Sequence, residues 1–494
     1  MGGSLKSAYD ALINSGYQVS PEAFAMLGEL VDPELVVERL LKAIEGMSER
    51  PLIIERSHLE SLLKVEKPSE VKLPPTHPVT PPIQAPPSVV VMGGSEDHLI
   101  KGTINDFRGY FINRLERLQN ILRARADLRD ATSVSLIPEG NKQRKVKVIG
   151  MVTSKREFKS GGSIVELEDT QGSIRVSFRG DEQMKRKVSR LLMDEVVCVY
   201  GSTMNGRSMT GEDIVWPDIS PRIRSGGPKR DTYAVLTSDF HIGSKLFMKE
   251  QFESFINWIK AENGEGASKE VALNTKYLII AGDLVDGVGV YPNQEEELLL
   301  KDLNKQYEQA AEYLSMVPEQ IKIIIIPGNH DACRPTLPTP PIYREYAAPV
   351  YSLKNVVMLG DPAVVNLDGV TFLLTHGRSL DDAIPALPNC SFKEPQNAMV
   401  ELLKSRHLAP IYGEKTPLAP EQSDSLIIDP VPDVFHAGHV HVWGVSEYRG
   451  VVVANSGAWQ MQTNYQKSMG IEPQPGMVPV LNLASFKTTN LNFL

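Results

Sequence analysis

Cysteine is scarce in this chain, because only Cys198, Cys333 and Cys390 occur among its 494 residues. Three widely separated thiols cannot form the disulfide framework of a small secreted domain, and none of them has the close spacing of a structural zinc site. The scarcity therefore predicts a protein of a reducing compartment, and we expect a cytoplasmic location.

Long hydrophobic runs and an excess of positive charge are also missing. No apolar stretch approaches the roughly 20 residues that cross a bilayer, and the N-terminus has no signal-peptide core, so we expect no association with a membrane. The formal net charge of -9 argues against a surface that wraps nucleic acid through uniform basic charge. Nucleic acid is not excluded, since a local basic strip or a metal site can neutralise phosphate.

The length and composition predict a multidomain α+β protein, because single cores seldom exceed about 250–300 residues. We expect a helical N-terminal domain, a proline-rich linker, a helix with an OB-like β-barrel, and a large C-terminal domain. The predicted boundaries are 1–66, 67–95, 96–224 and 225–494. The pattern leaves open whether the N-terminal domain docks a partner or is a passive appendage.

Local signals support the first two of these domains. Ser20-Pro21-Glu22 and Asp32-Pro33-Glu34 each place an N-cap residue, then proline, then a carboxylate at the start of a helix. The proline pairs Pro74-Pro75, Pro81-Pro82 and Pro86-Pro87 are typical of an extended, semi-rigid tether.

An amphipathic helix is expected next, with residues such as Phe107 and Leu118 on its apolar face and Arg114 on a solvated face. Short alternating strands then follow from Lys145 to Trp216, which predicts the OB-like barrel. Its candidate cations for single-stranded nucleic acid are Lys155, Arg156, Lys159, Arg175 and Arg179. Aromatic residues for base stacking are few, so packing against another protein explains this barrel equally well.

Five short segments of the last domain carry aspartate, histidine and asparagine directly after runs that predict β-strands. They are Asp239-Phe240-His241, Gly282-Asp283-Leu284-Val285-Asp286, Gly328-Asn329-His330-Asp331, His376-Gly377 and Gly438-His439-Val440-His441. Open α/β folds build their sites at the carboxyl ends of neighbouring strands, so we expect these side chains to converge. Oxygen and imidazole ligands without thiolate favour manganese, iron or zinc, and a pair of such ions can catalyse phosphoryl displacement.

The order of these motifs resembles the calcineurin-like metallophosphoesterase superfamily. The resemblance implies a four-layer α/β sandwich and a dinuclear metal centre bridged by Asp283. It implies that the first metal is held by Asp239, His241, Asp283 and His441, and the second by Asp283, Asn329, His376 and His439.

The same resemblance implies a catalytic role for His330, which would act on the substrate as general acid with Asp331 orienting it. Asp286 is expected to be a hydrogen-bonding residue beside the site. His407 and His436 lie outside the motifs and are expected to be structural. Protein serine/threonine phosphatases of this superfamily have arginine and glutamate where this chain has Gly287 and Asp331, which counts against that group.

Further segments, and the order of the domains, resemble the small subunit of archaeal family-D DNA polymerases. The segments are Asp106 to Phe111, His376 to Asp382, Met399 to Gly413 and Asn455 to Gln460. The resemblance covers nearly the whole chain and is weakest at the N-terminus.

This second resemblance implies a 3′–5′ proofreading exonuclease that acts on DNA 3′ ends. It implies two divalent ions, with Mn²⁺ expected and iron or zinc as alternatives. The large catalytic subunit of the polymerase is the expected partner, and a sliding clamp is a further candidate. A catalytically weak or inactive scaffold subunit remains an alternative, as does a free-standing phosphodiesterase or repair nuclease of the same fold.

Overall fold

The computed structural model divides the chain into two units, Met1–Gln84 and Ala85–Leu494. No helix among its described residues is long and apolar enough to cross a bilayer. The structure describes residues 3–15, 17–29, 33, 36–37, 40–41, 44, 51, 53–58, 86–95, 100–137, 143–158, 162–203, 206–222, 224 and 226–494.

The first unit contains helices and one short parallel strand pair. Its elements are α1 (Gly3–Asn14), β1 (Gln18–Val19), α2 (Pro21–Glu29) and β2 (Ile53–Ile54). The Ser20 hydroxyl accepts a hydrogen bond from the amide of Ala23 at 3.2 Å, so α2 begins at Pro21 as the sequence predicts. Most of the predicted helix after Asp32, and residues 67–85 of the predicted linker, lie outside the described residues.

The second unit begins with strand β3 (Val89–Gly94). The proline pattern predicted a linker through residue 95, but β3 pairs antiparallel with a strand of the C-terminal domain. The run of β-branched valines favours a strand once the prolines end at Pro87. Ser88 adds an anchor, because its amide donates to the hydroxyl of Tyr277 at 3.0 Å.

Helix α3 (Ile104–Arg123) follows, and Thr103 with Asp106 forms a capping box at its start. The prediction that Arg114 lies on a solvated face is wrong. Arg114 is fully buried, and its Nε donates to Asp424 at 2.7 Å. His407 Nε2 also donates to that carboxylate, at 2.9 Å, which gives His407 the structural role expected of it. Asp424 comes from a distant loop, so no local pattern could indicate this partner.

The next segment is a closed five-stranded barrel. Its elements are β4 (Arg144–Glu157), β5 (Ser163–Asp169), β6 (Gly172–Phe178), α4 (Glu182–Ser189), β7 (Val196–Thr203) and β8 (Ser208–Val215). The strand order is β4-β5-β6-β8-β7, with β6 and β8 parallel and the helix between β6 and β7. This is the OB topology that the strand spacing predicts.

The remaining residues form two six-stranded sheets. The first has the order β12-β11-β10-β9-β18-β19. Its strands are β9 (Tyr233–Thr237), β10 (Thr275–Ala281), β11 (Lys322–Ile326), β12 (Val356–Met358), β18 (Met477–Asn482) and β19 (Thr488–Asn492). Strands β9 to β12 are parallel, and the apolar run of each follows from burial on both faces.

The second sheet has the order β16-β17-β15-β14-β13-β3. Its remaining strands are β13 (Ala363–Leu367), β14 (Val370–Leu374), β15 (Val434–Ala437), β16 (Gly444–Tyr448) and β17 (Val451–Asn455). Residues such as Ile279 of the first sheet and Phe372 of the second share one buried cluster, so the sheets pack face to face.

Helices cover the outer face of each sheet. They are α5 (Lys249–Ile259), α6 (Gly266–Leu273), α7 (Leu303–Ser315) and α8 (Arg344–Tyr351) on the first sheet, and α9 (Leu380–Ala386) and α10 (Pro395–Ser405) on the second. The result is the four-layer α/β sandwich that the sequence predicts. A short helix, α11 (Asn464–Met469), lies near the C-terminus.

Candidate metal centre

The predicted ligands lie on the loops that leave five strands. Strands β9, β10 and β11 are parallel neighbours in one sheet, and β14 and β15 are parallel neighbours in the other. Their carboxyl ends therefore open toward a common edge of the sandwich. The loops are tied together by backbone hydrogen bonds, since the amide of Asp239 donates to Gly282 at 2.9 Å and that of His241 donates to Asp283 at 3.1 Å.

One group of ligand atoms consists of Asp239, His241 and His441. The Nε2 atoms of the two imidazoles are 3.1 Å apart, and Asp239 Oδ1 lies 3.4 Å from His441 Nε2 and 3.9 Å from His241 Nε2. Asp239 Oδ1 is buried and accepts no hydrogen bond from the described residues. A buried carboxylate oxygen without a donor is costly, and a cation shared by these three side chains would satisfy it.

A second group surrounds His376. Its Nε2 lies 3.3 Å from Asp283 Oδ2, 3.1 Å from Asn329 Oδ1 and 3.3 Å from His439 Nδ1. Asp283 Oδ2 is also 3.7 Å from His241 Nε2, so this one carboxylate faces both groups. The structure thus brings all seven predicted ligands together in two adjoining groups, which fit two divalent cations.

The carboxylates of both groups attract positive charge. Burial alone would raise the pKa of Asp239, but the imidazoles of His441 and His376 lower it to about 2. Burial would lower the pKa of His376, whereas the adjacent Asp283 carboxylate raises it to about 10. The same negative charge that favours an imidazolium here would favour a divalent cation.

A surrounding layer of polar groups fixes the orientation of the imidazoles. His241 Nδ1 pairs with Asp286 Oδ1 at 2.9 Å, and His376 Nδ1 donates to the carbonyl of Ala281 at 2.8 Å. His441 Nδ1 lies 2.8 Å from the side-chain amide of Gln466 on α11. Asp286 is therefore the neighbouring hydrogen-bonding residue that the sequence predicts.

Several residues of this layer were not predicted to take part. Ser238 donates to Asp239 Oδ2 and lies 2.7 Å from the hydroxyl of Ser456, which in turn lies 3.1 Å from Nε2 of the structural His436. Gln460 donates to Asp286 at 3.1 Å. Ser456 and Gln460 lie in a segment that resembles the polymerase family, but serine and glutamine have no spacing rule that would reveal their role.

His330 is held at the edge of the two groups. Its amide donates to Asp283 Oδ1 at 2.8 Å, and its Nδ1 donates to the carbonyl of Asp286 at 2.8 Å. The ring stands edge-on to His241 with centroids 4.7 Å apart. With Nδ1 engaged, Nε2 is the nitrogen that remains for a substrate.

Asp331 does not orient His330 as predicted. Its carboxylate accepts hydrogen bonds from the amide of Gly328 at 2.9 Å, the amide of Leu284 at 3.2 Å and the hydroxyl of Tyr307 at 3.2 Å. Asp331 therefore holds two loops together, and the carbonyl of Asp286 takes over the orienting role. Burial, with the nearby Asp283 carboxylate, raises the pKa of Asp331 to about 6.

Five of the predicted ligands have left-handed backbone conformations, which non-glycine residues seldom adopt. The φ angles are 54° at Asp239, 52° at His241, 53° at Asp283, 72° at His439 and 61° at His441. Such strained residues cluster at functional sites, where the surrounding fold enforces them. Here the tight bends turn successive ligands of each loop toward the same point.

A cleft of about 340 Å³ opens over both groups. Arg378 and Lys415 place positive charge in its lining, and Tyr291 and Phe392 contribute aromatic rings. Neither pair was assigned a role from the sequence. The cleft thus places two cationic and two aromatic side chains beside the metal-ligand groups.

A four-layer sandwich with these aspartate, histidine and asparagine loops defines a metallophosphoesterase-type protein. The family of the B subunits of DNA polymerases alpha and epsilon matches residues 234–441. The DNA polymerase II small subunit of Methanothermobacter thermautotrophicus is 38% identical, over 96% of this chain and 97% of its own. That of Archaeoglobus fulgidus is 40% identical, over 94% of this chain and 93% of its own. The chain belongs to the DNA polymerase II small subunit family of archaea.

Solved structures add only a distant likeness. A structure titled as a novel archaeal phosphodiesterase matches 53% of this chain and 99% of its own, with 15% identity and a TM-score of 0.27.

Proposed function

We propose that this chain is a metal-dependent 3′–5′ exonuclease that removes mismatched nucleotides from DNA 3′ ends as the small subunit of a DNA polymerase. The observation that carries the proposal is the convergence of seven ligand side chains in two adjoining groups, in which Asp239 Oδ1 is buried and accepts no hydrogen bond from the described residues. A subunit that serves only as a scaffold has no need of such a costly group.

Two divalent ions, with Mn²⁺ expected and iron or zinc as alternatives, would be held by the two groups with Asp283 shared between them. When bound, such ions supply an activated water and stabilise negative charge on a phosphoryl group. Neutral imidazole and carboxylate ligands without thiolate suit these metals.

His330 would act as the general acid for the departing 3′ oxygen. Its Nδ1–H donates to the Asp286 carbonyl, so only the imidazolium form carries a second proton on Nε2, and that proton would pass to the departing oxygen as the phosphodiester breaks. The lining of the cleft would hold the rest of the substrate, with Arg378 and Lys415 at phosphate oxygens and Tyr291 or Phe392 beneath the terminal base.

The partner that we propose is a large catalytic polymerase subunit, as the names of the relatives suggest. A small subunit of this kind would position the 3′ end for editing and scaffold the complex. We also propose that the chain contacts a sliding clamp.

The test is nucleotide release from a 3′-mismatched primer with Mn²⁺, comparing the wild type with Asp283→Ala and His330→Ala. We expect stepwise 3′–5′ loss in the wild type, none with Asp283→Ala, and a rate about 10²–10⁴-fold lower with His330→Ala. His58→Ala, in the other unit, is the matched control and should leave the rate unchanged.

Other outcomes identify the alternatives. No release by the wild type, even with the large subunit added, would leave an inactive scaffold. Release by a chain that does not bind the large subunit would identify a free-standing nuclease instead.

A further inference from the structure

A basic pocket of about 420 Å³ lies where the barrel meets the sandwich. Its cations come from the end of α3, from α4, from α10 and from the β16–β17 turn. They are Arg125, Lys187, Arg190, Lys404 and Arg449. We call this set the junction pocket; it shares no lining residue with the cleft over the metal-ligand groups.

The junction pocket is preorganised by contacts on its inner side. Arg190 stacks over the ring of Trp216 at 4.8 Å and donates through Nε to Glu401 at 3.0 Å. Lys404 Nζ lies 2.7 Å from the same glutamate and 5.1 Å from the ring centre of Tyr448. The two domains thus share Glu401 as a common anchor, which keeps both cations at the pocket.

The outer cations remain accessible. The side chains of Arg125, Arg449 and Lys187 are 42%, 40% and 31% exposed. Arg125 and Lys187 pair with the exposed carboxylates of Asp127 and Asp213, whereas Arg449 pairs with Asp218, whose side chain is only 16% exposed. The two exposed ion pairs contribute little stability, so an incoming phosphate can replace Asp127 and Asp213. Five cations and two carboxylates, Asp213 and Asp218, line the pocket, and the further ion-pair partners Asp127 and Glu401 leave one positive charge in excess in a chain whose net charge is -9.

The strand face on which OB-like barrels usually bind nucleic acid is less suitable here. Strand β5 presents Glu166 and Glu168, against Arg175 on β6. Lys155, one of the predicted nucleic-acid cations, donates instead to the carbonyls of Ser189 and Leu191. The junction pocket therefore brings five cations together, whereas carboxylates of β5 offset the charge of Arg175 on the strand face.

We propose that the junction pocket binds the sugar–phosphate backbone of single-stranded DNA, as a second nucleic-acid site separate from the cleft. Guanidinium and ammonium groups neutralise successive phosphates, and the Arg190–Trp216 stack offers a flat cationic surface to a base. The site does not require hydrolysis, so its existence is independent of the nuclease activity.

The two sites lie at opposite ends of one helix. Phe392 just before α10 lines the cleft, and Lys404 at its end lines the junction pocket. The eleven residues of α10 span about 16 Å, which corresponds to about five stacked nucleotides. One strand could therefore occupy both sites, with its 3′ end in the cleft.

The experiment is fluorescence anisotropy of a labelled oligothymidylate of about ten nucleotides with the full chain in EDTA, at several salt concentrations. The test variant is Arg125→Gln/Lys187→Gln. The matched control is Lys145→Gln/Lys249→Gln, which removes equal charge from two exposed lysines outside the pocket. Arg125→Lys/Lys187→Arg preserves the charge and reports on the fold.

We expect the test variant to bind at least about 10-fold more weakly and the slope of log K against log salt to fall by about 1.4, since each lost contact removes about 0.7. The control and the charge-preserving variant should bind as the wild type does. Equal weakening in test and control, or no weakening in either, would overturn the proposal. Loss of large-subunit binding with unchanged oligothymidylate binding would instead identify the pocket as a protein interface.

Discussion

At the residue scale, the candidate site depends on side chains other than the predicted metal ligands. His241 is oriented by Asp286, which is itself held by Gln460 at 3.1 Å. Burial lowers the pKa of His241, which favours the neutral imidazole, whose Nε2 lone pair can face a cation. The strength of metal binding should therefore depend on Asp286 as well as on the ligands.

Asp286→Ala tests this dependence. We expect Mn²⁺ affinity to fall about 10–100-fold, because the His241 ring loses the acceptor that fixes its orientation. Titration calorimetry of the purified chain measures the affinity directly. Glu253→Ala on the outer face of α5 is the charge-matched control, and equal affinity in all three proteins would contradict the role assigned to Asp286.

Site residues could be predicted from the sequence where a motif follows a strand. They could not be predicted where the role depends on a hydrogen-bond partner that is distant in the chain. Asp239, Asp283 and His376 could be selected because each follows an apolar strand. Gln466 could not, because its contact with His441 depends on how α11 packs. The mistaken role of Asp331 has the same origin, since adjacency to His330 in the chain does not determine where a carboxylate points.

At the element scale, the packing of the barrel against α10 buries an acid. Glu195, just before β7, accepts hydrogen bonds from Ser405 at 2.7 Å, Trp216 at 3.0 Å and the amide of Leu192 at 3.0 Å. Burial raises its pKa from 4.5 to about 7, although these donors and Arg190 favour the charged form. The junction between the two domains therefore contains a carboxyl group that titrates near neutrality.

The sign of the resulting pH dependence follows from proton binding. Between pH 4.5 and 7 the folded state holds a proton at Glu195 that the unfolded state has lost, so stability falls as pH rises through this window. We expect the stability of the wild type relative to Glu195→Gln to fall by roughly 3 kcal/mol from pH 4.5 to 8. Denaturant unfolding at both pH values measures it, and a difference that does not change with pH would refute the prediction.

Elements were predictable where local pattern and burial agree. Strands β9 and β15 end just before their motifs, as the sequence predicts, because each is a short apolar run bounded by turn residues. Strand β3 was missed because proline dominated its surroundings. The amphipathic pattern of α3 was recognised, but a buried Arg114 cannot be distinguished from a solvated one until Asp424 is placed beside it.

At the scale of the whole molecule, the division at residue 84 differs from the end of the predicted linker at 95. The difference matters because β3 lies between them and supplies an edge strand to the second sheet. Composition could reveal that a tether exists, but only strand pairing determines where it ends.

Two truncations distinguish these boundaries. A chain of residues 85–494 should keep the melting temperature and Mn²⁺ affinity of the sandwich, whereas 96–494 should melt earlier because β13 loses its partner strand. Thermal scanning with a metal titration compares the two. Identical melting of both truncated chains would show that β3 contributes nothing to the sandwich.

The left-handed backbone at five ligand positions has an evolutionary consequence. Glycine adopts this conformation freely, whereas a residue with a Cβ atom costs roughly 1 kcal/mol or more. Lineages that no longer need phosphodiester cleavage are expected to drift toward glycine or asparagine there and to gain stability as the chemistry is lost. A lineage that keeps aspartate and histidine at all five is held there only by continued selection for that chemistry.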